Sequence, residues 1–155
     1  MSAEIERKFL VVEDSWRGGS DGLQIAQGYL SQDPDRTVRV RIAGNRAWLT
    51  VKGRNEGFTR SEFEYQIPLA DARELLALCL PLVIEKIRHR IPHAGHVWEV
   101  DVFHGENAGL VMAEVELVDE ADSPDLPPWV GEEVSADTRY FNSCLATFPY
   151  SKWDR

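Results

Sequence analysis

Cysteine is nearly missing from this chain. Cys79 and Cys144 are the only two in 155 residues, both in apolar surroundings without metal-ligand spacing or a paired base, and two so placed make no disulfide framework. A reducing compartment, the cytosol, is the simpler setting. No apolar run approaches the ~20 residues of a membrane-spanning helix, and Glu4, Glu6, Arg7 and Lys8 leave no room for an apolar signal region. The expectation is a protein neither exported nor embedded. Positive charge is also short: the formal net charge is -9, which argues against general affinity for nucleic acid or anionic lipid. Any anionic ligand must therefore be held locally. A G-x-x-x-x-G-K-S phosphate loop is absent as well.

What is present suits one ordinary domain spanning residues 1–155, with 43% hydrophobic and 28% charged residues and enough length for one core. Strand-like alternation runs from Met1 to about Val12. A glycine-rich polar connection follows from Ser15 to Gly22, then a loosely alternating strand from Gln24 to Ser31 that ends at the turn signal Asp33, Pro34 and Asp35. Thr37 to Ala43 alternates cleanly, and Gly44 with Asn45 turns it into its hairpin partner, Arg46 to Lys52. Thr59 to Ile67 is again two-faced. Asp71 and Glu74 resemble a capping box for one amphipathic helix carrying Leu75, Leu78, Cys79 and Leu82, with Pro81 near its end. Val83 to Ile91 and His96 to Phe103 form another hairpin around His93, Ala94 and Gly95, and Leu110 to Val118 is the last long strand. The acidic, proline-bearing stretch from Asp119 to Pro128 reads as loop, and Asp137 is placed to cap a final short helix. About eight strands and two helices result, in a largely antiparallel order set by short turns.

The charges follow the parity of these strands. One face collects Glu4, Glu6 and Lys8; Arg39 and Arg41; Lys52; Glu62 and Glu64; Lys86, Arg88 and Arg90; Glu99 and Asp101; Glu114 and Glu116. The opposite face is mostly aliphatic and aromatic. The ordinary reading of such alternation is a sheet with one wet face. Two features count against it. Like charges repeat along single strands, which offers no stability in water, and acidic and basic strands occur in comparable number. A sheet closed on itself with these faces inward would balance them across a lumen, where bases hold phosphate oxygens and carboxylates hold hard divalent cations. The four histidines, His89, His93, His96 and His104, lie in or near turns or on the other parity, which counts against them as ligands. Trp48 and Trp98 read as packing.

Glu4, Glu6 and Lys8 form an E-x-E-x-K motif. Arg39 and Arg41 form R-x-R, Lys86 and Arg88 form K-x-R, Glu99 and Asp101 precede Phe103 and Gly105, and Gly109, Leu110, Glu114, Val115, Glu116 and Leu117 resemble G-L-x-x-x-E-V-E-L. In this order, from Glu4 to about Leu145, they resemble the CYTH domain of the triphosphate tunnel metalloenzymes. The resemblance implies a mainly β fold, an eight-stranded antiparallel closed barrel with a few peripheral helices. It implies a small-molecule triphosphate as ligand and Mg2+ or Mn2+ as the required ion. By position, Glu4, Glu6, Glu114 and Glu116 would ligate metal, with Asp101, Glu62 and Glu64 as further acidic candidates. Lys8, Arg39, Arg41, Lys52, Lys86 and Arg88 would grip phosphate, with Arg90 extending the run toward a tunnel mouth. Glu4, Glu6, Glu62, Glu64, Lys86, Glu114 and Glu116 make up the implied catalytic set. Tyr29, Glu99 and Arg139 are further candidates for the site.

The implied activity is hydrolysis of a triphosphate, first of all inorganic tripolyphosphate to pyrophosphate and phosphate, by metal-assisted transfer to water. Three alternatives stay open at this point. The same tunnel could house a class IV type adenylate cyclase or a thiamine or nucleoside triphosphatase, or the chain could be a non-catalytic polyphosphate-binding module. The complete set of acids speaks against the last, since a mere anion binder could spare most of them. No nucleic acid or membrane partner is expected, and a homodimer is compatible with this reading.

Overall fold

Alternation of the kind that opens the chain recurs because nearly every long segment between turns is a strand, whose successive side chains leave on opposite faces. The computed structural model describes residues 2–18, 21–80 and 82–154, and within these the side chains from residue 4 onward. In chain order it contains β1 (Ser2–Val11), β2 (Leu23–Ser31), β3 (Arg36–Ala43), β4 (Arg46–Gly53), β5 (Thr59–Ile67), α1 (Leu69–Leu78), β6 (Ile84–His93), β7 (His96–Phe103), β8 (Val111–Glu116), β9 (Val130–Glu133) and α2 (Asn142–Leu145). Met1 of the expected first strand, Gly19 and Ser20 of the glycine-rich connection and Pro81 at the expected helix end lie outside the described residues.

Neighbouring strands pair antiparallel in the order β5-β4-β3-β2-β6-β7-β8-β1, and β1 pairs back onto β5, so that eight strands close into a barrel. The closing strand is shared lengthwise. Ser2 to Ile5 pair with β5, Glu6 to Leu10 pair with β8, and Phe9 and Val11 pair with β9 along the edge that β5 has left. Only β9 goes beyond the expected eight strands. It is four residues long, too short to show alternation, and Arg7 fastens it through its guanidinium to Glu133 at 2.6 and 2.9 Å.

Register decides which parity faces inward. Lys8 lies beside Glu114, Glu6 beside Glu116, Lys52 beside Glu62 and Arg88 beside Asp101, so bases and acids of neighbouring strands share the inner wall. The outer face is covered in two places. Phe9, Trp98, Val100, Ala113 and Val115 pack beneath Trp16, Leu117 and Trp129 of the connecting loops. Val40, Ala47, Ile42 and Leu49 pack beneath Ala72, Leu75, Leu76 and Cys79 of α1 and its C-cap. The outer side of β5 stays open, with Tyr65 59% exposed.

The bore itself has two tiers. Along the lumen parity the charged residues give way to Leu10, Tyr29, Ile84, Phe103 and Met112, and the C-terminal segment packs Val134, Tyr140, Leu145, Ala146 and Trp153 against them. The chain end thus seals one part of the barrel with apolar surface and leaves the charged tier as a cavity.

Both helices differ from their expected starts. α1 begins two residues before Asp71, with Pro68 as N-cap at φ -60 and no side-chain cap; proline presets the first turn, while Asp71 sits inside it, where a carboxylate favours the helix dipole. Asp137 caps a 3-10 turn, accepting from the Arg139 amide, and α2 starts only at Asn142.

Gly28 of β2 lets α1 approach. A Cβ built there would lie 2.6 Å from the Cβ of Cys79, whereas one at Gly53 would meet nothing nearer than 3.4 Å. Gly28→Ala should therefore lower stability by about 1–3 kcal/mol through overpacking. Gly53→Ala should change it by about 0.5 kcal/mol or less. Urea unfolding midpoints at constant m-value measure both.

Candidate active site

The charged tier is a cavity of about 250 Å3, below the ~300–1,000 Å3 that drug-sized ligands fill. Among the described residues, seven bases line it, Lys8, Arg39, Arg41, Lys52, Arg60, Lys86 and Arg88, and so do seven carboxylates, Glu4, Glu6, Glu62, Glu64, Glu99, Glu114 and Glu116. The count matters because buried ions are tolerated only when paired. Among the described residues, five of the seven bases have a carboxylate within 4.0 Å. Lys8 Nζ reaches Glu6 at 3.1 Å and Glu114 at 3.0 Å. Lys52 Nζ reaches Glu4 at 2.8 Å and Glu62 at 3.5 Å. Arg39 stands 3.6 Å from Glu64, with Thr50 bridging the two. Arg88 reaches Glu99 at 3.3 Å.

Asp101 corrects an expectation. It is 1% exposed and absent from the cavity wall, with both oxygens engaged: Arg88 donates from Nε and Nη2 at 2.7 and 2.8 Å, and Lys86 donates at 2.7 Å. Its geometry is that of an anchor behind two bases rather than a ligand facing a metal in the lumen. Arg90 also lies outside the main cavity, exposed beside a smaller one that it lines with Leu23, Ile25 and Trp48. Arg139 is exposed and paired with Asp137 at 2.7 Å, away from the cavity. Tyr29 and Glu99 both line it.

The electrostatics divide the acids. Burial alone would raise Glu114, but Lys8 and Arg88 overturn it and hold the carboxyl well below its ordinary range. Asp101 is likewise held low by Arg88 and Lys86 against its burial. Glu6 and Glu116 go the other way. Burial raises Glu6, with Glu114 adding to it, and burial raises Glu116, with Glu4 and Glu6 adding. Since Glu6 and Glu116 are direct cross-strand partners, this corner carries negative charge that the lysines do not quench.

No three His, Cys, Asp or Glu side chains are gathered into a ready metal cage among the described residues. The donor chemistry nevertheless fits a hard divalent cation. Oxygen donors on adjacent strands with surplus negative charge are what Mg2+ or Mn2+ takes, and Glu4, Glu6 and Glu116, with Glu114 beside them, supply it.

The bases divide as well. Burial would lower Lys8, but Glu114 and Glu6 keep it raised and charged. Burial lowers Arg41 to about 9, with Arg39 and Arg88 adding to the effect. Burial lowers Lys86 to about 7 against the pull of Asp101. Arg39 Nε is buried without a partner, a donor suited to an anion.

Arg60 is a lining base that parity could have found, because it precedes Glu62 and Glu64 on the same face of β5. Ser135, Phe141, Asn142 and Ser143 also line the cavity. They arrive with the C-terminal segment, and no periodicity in the sequence announces them.

Residues 2–144 match the CYTH domain. The chain is 46% identical over 154 residues to an inorganic triphosphatase of Acetivibrio thermocellus, covering 99% of each chain. It is 37% identical over 148 residues to an inorganic triphosphatase of Nitrosomonas europaea, covering 92% of this chain and 96% of the relative. The crystal structure of the inorganic triphosphatase NE1496 superposes with a TM-score of 0.68 at 35% identity, over 92% of this chain and 96% of that one. A barrel with these opposed charges, matched over nearly its whole length, places the chain in the CYTH domain family.

Proposed function

We propose that this protein hydrolyses a triphosphate with the help of a divalent cation, and that inorganic tripolyphosphate is its substrate. The observation that carries the reading is the closed charged tier, in which seven bases and seven carboxylates share one small cavity. A linear polyanion can displace carboxylates from Lys8, Lys52, Arg39 and Arg88, since phosphate oxygens accept the same charge-assisted hydrogen bonds. Glu4, Glu6 and Glu114, so released, would stand with Glu116 as oxygen donors able to hold Mg2+ or Mn2+. Such a cation supplies charge neutralisation on the phosphate chain and a more acidic water.

The chain's own groups do the rest. The arginines and lysines hold the phosphates in line and stabilise charge on the transferred group and on leaving pyrophosphate. Lys86 Nζ, anchored at 2.7 Å by Asp101, adds a fixed positive charge at the lumen wall. The volume favours a small inorganic chain over a nucleotide, and the seven acids favour catalysis over binding alone. The near identity of length with relatives named inorganic triphosphatase supports the same reading.

Two measurements test it. Glu4→Gln or Glu116→Gln should lower turnover of tripolyphosphate by at least about a hundredfold, since several kcal/mol of metal assistance go at ~1.4 kcal/mol per tenfold, with a smaller change in KM. Arg41→Ala should instead raise KM by about tenfold or more, the worth of one charge-assisted contact. Unchanged phosphate release in the glutamate variants, or cyclic nucleotide and pyrophosphate from ATP as the faster products, would overturn the assignment.

Metal itself is tested by melting temperature. Glu6 is raised in the folded state, so its contribution to stability is present below its unfolded value and lost as pH rises through the folded one; at pH 7 its ionised form opposes folding. Mg2+ or Mn2+ should therefore raise the melting temperature at pH 7. Glu6→Gln should melt higher than the parent when both are in EDTA, and should respond less to metal. An equal metal response in the variant would remove Glu6 from the metal site.

A further inference from the structure

One chain of hydrogen bonds links the arginine-bearing walls of the cavity, and it leaves the barrel at a single residue. Arg41 Nε donates to Gln27 Oε1 at 2.8 Å, and Gln27 Nε2 donates to Asn142 Oδ1 at 2.9 Å. Lys86 Nζ donates to that same oxygen at 3.0 Å and to Asp101, which holds Arg88. Gln27 is fully buried at 0% exposure. Asn142 opens α2, so the C-terminal segment delivers an amide to the charged tier as well as an apolar seal.

The partner of Arg41 sets it apart. Lys8, Arg39, Lys52, Lys86 and Arg88 each have a carboxylate within 4.0 Å. Among the described residues, the lining bases without one are Arg41 and Arg60, and Arg60 is held by the Gly53 carbonyl and the Thr37 hydroxyl. An amide oxygen satisfies a guanidinium N–H and fixes its direction, but it leaves the positive charge unquenched. Burial and the neighbouring Arg39 and Arg88 act on Arg41 accordingly, drawing it down. A glutamate at position 27 would be nearly the same shape and would neutralise it.

We infer that Gln27 and Asn142 are positioning residues: their neutral amides hold Arg41 and Lys86 in place while keeping the charge of Arg41 free for a phosphate oxygen of the substrate. The inference rests on the triphosphate reading above and names residues outside its charged set. Gln27 orients the arginine. Asn142 couples Gln27 to Lys86, so the C-terminal segment is part of the site's alignment.

Gln27→Glu separates this role from packing. With the full chain in EDTA and no polyanion, it should melt above Gln27→Leu, because the buried guanidinium gains a counter-charge even though Asn142 Oδ1 loses the donor that Gln27 Nε2 supplied. The stabilisation that tripolyphosphate confers should fall, and KM for tripolyphosphate with Mg2+ should rise by about tenfold or more with a smaller change in kcat. Gln27→Leu should lower the melting temperature. Asn142→Ala should keep most of the tripolyphosphate stabilisation and lose about tenfold in kcat. The inference falls if Gln27→Glu takes tripolyphosphate as the parent does, or melts as low as Gln27→Leu. A parent that tripolyphosphate stabilises but that releases no phosphate overturns the hydrolase reading alone, and the inference is then decided by the stabilisation of Gln27→Glu. A parent that tripolyphosphate does not stabilise overturns both.

Discussion

Charge pairing across a closed lumen is the constraint on which the rest of this structure depends. A carboxylate or ammonium withdrawn from water costs several kcal/mol unless a partner meets it, and here the partners come from strands distant in sequence. Lys8 is held by Glu114 and Lys52 by Glu4, so β1 must pair with both β8 and β5 before its own charges are compensated. Closure and neutralisation are thus one condition. An open sheet would keep neighbouring pairs such as Lys8 with Glu114 and Lys52 with Glu62, but without β1 beside β5 it would separate Lys52 from Glu4. In the closed barrel the register is selected by which base meets which acid.

The two tiers of the bore divide the labour. The apolar tier, where the C-terminal segment meets Leu10, Ile84, Phe103 and Met112, contributes hydrophobic stabilisation that the charged tier cannot. It also limits the charged tier to a small volume, where electrostatic interactions are stronger than at an open surface. The external clusters under α1 and under the tryptophan-bearing loops brace the strands from outside. Arg39, Lys86 and Glu114 can then stay buried without the wall yielding.

Much of this was legible in the sequence, and the reasons are physical. Period-two alternation survives in any strand, so the ranges of β5 and β7 and the inward face of Glu4, Glu6, Arg39, Arg41, Glu114 and Glu116 follow from parity. Arg60 obeys the same rule. What parity cannot convey is distance from the lumen axis. Asp101 and Arg90 share the inward parity, yet Asp101 is buried behind two bases and Arg90 stands outside the main cavity, beside a smaller one that shares Arg41, Glu64, Arg88 and Glu99 with it. The short β9 and the arrival of Asn142 depend on tertiary packing of irregular chain, which leaves no periodic trace. Asp71 and Glu74 satisfy a capping pattern, yet α1 starts earlier, with Pro68 at its N-cap and Asp71 inside its first turn.

The shared closing strand bears on how the polypeptide reaches this state. β1 precedes the other strands of the barrel in the chain, and the contact between Lys8 and Glu114 spans 106 residues. Contacts of such separation must overcome a large loop-closure cost before they return any stability, and topologies that rely on them fold slowly. During translation the N-terminal strand has neither neighbour until β5 emerges, and its second half waits for β8. The same glutamates and lysine that later line the cavity keep that waiting strand charged and hydrated, which disfavours pairing with another chain. Residues that line the finished barrel thereby also protect the chain before the barrel exists.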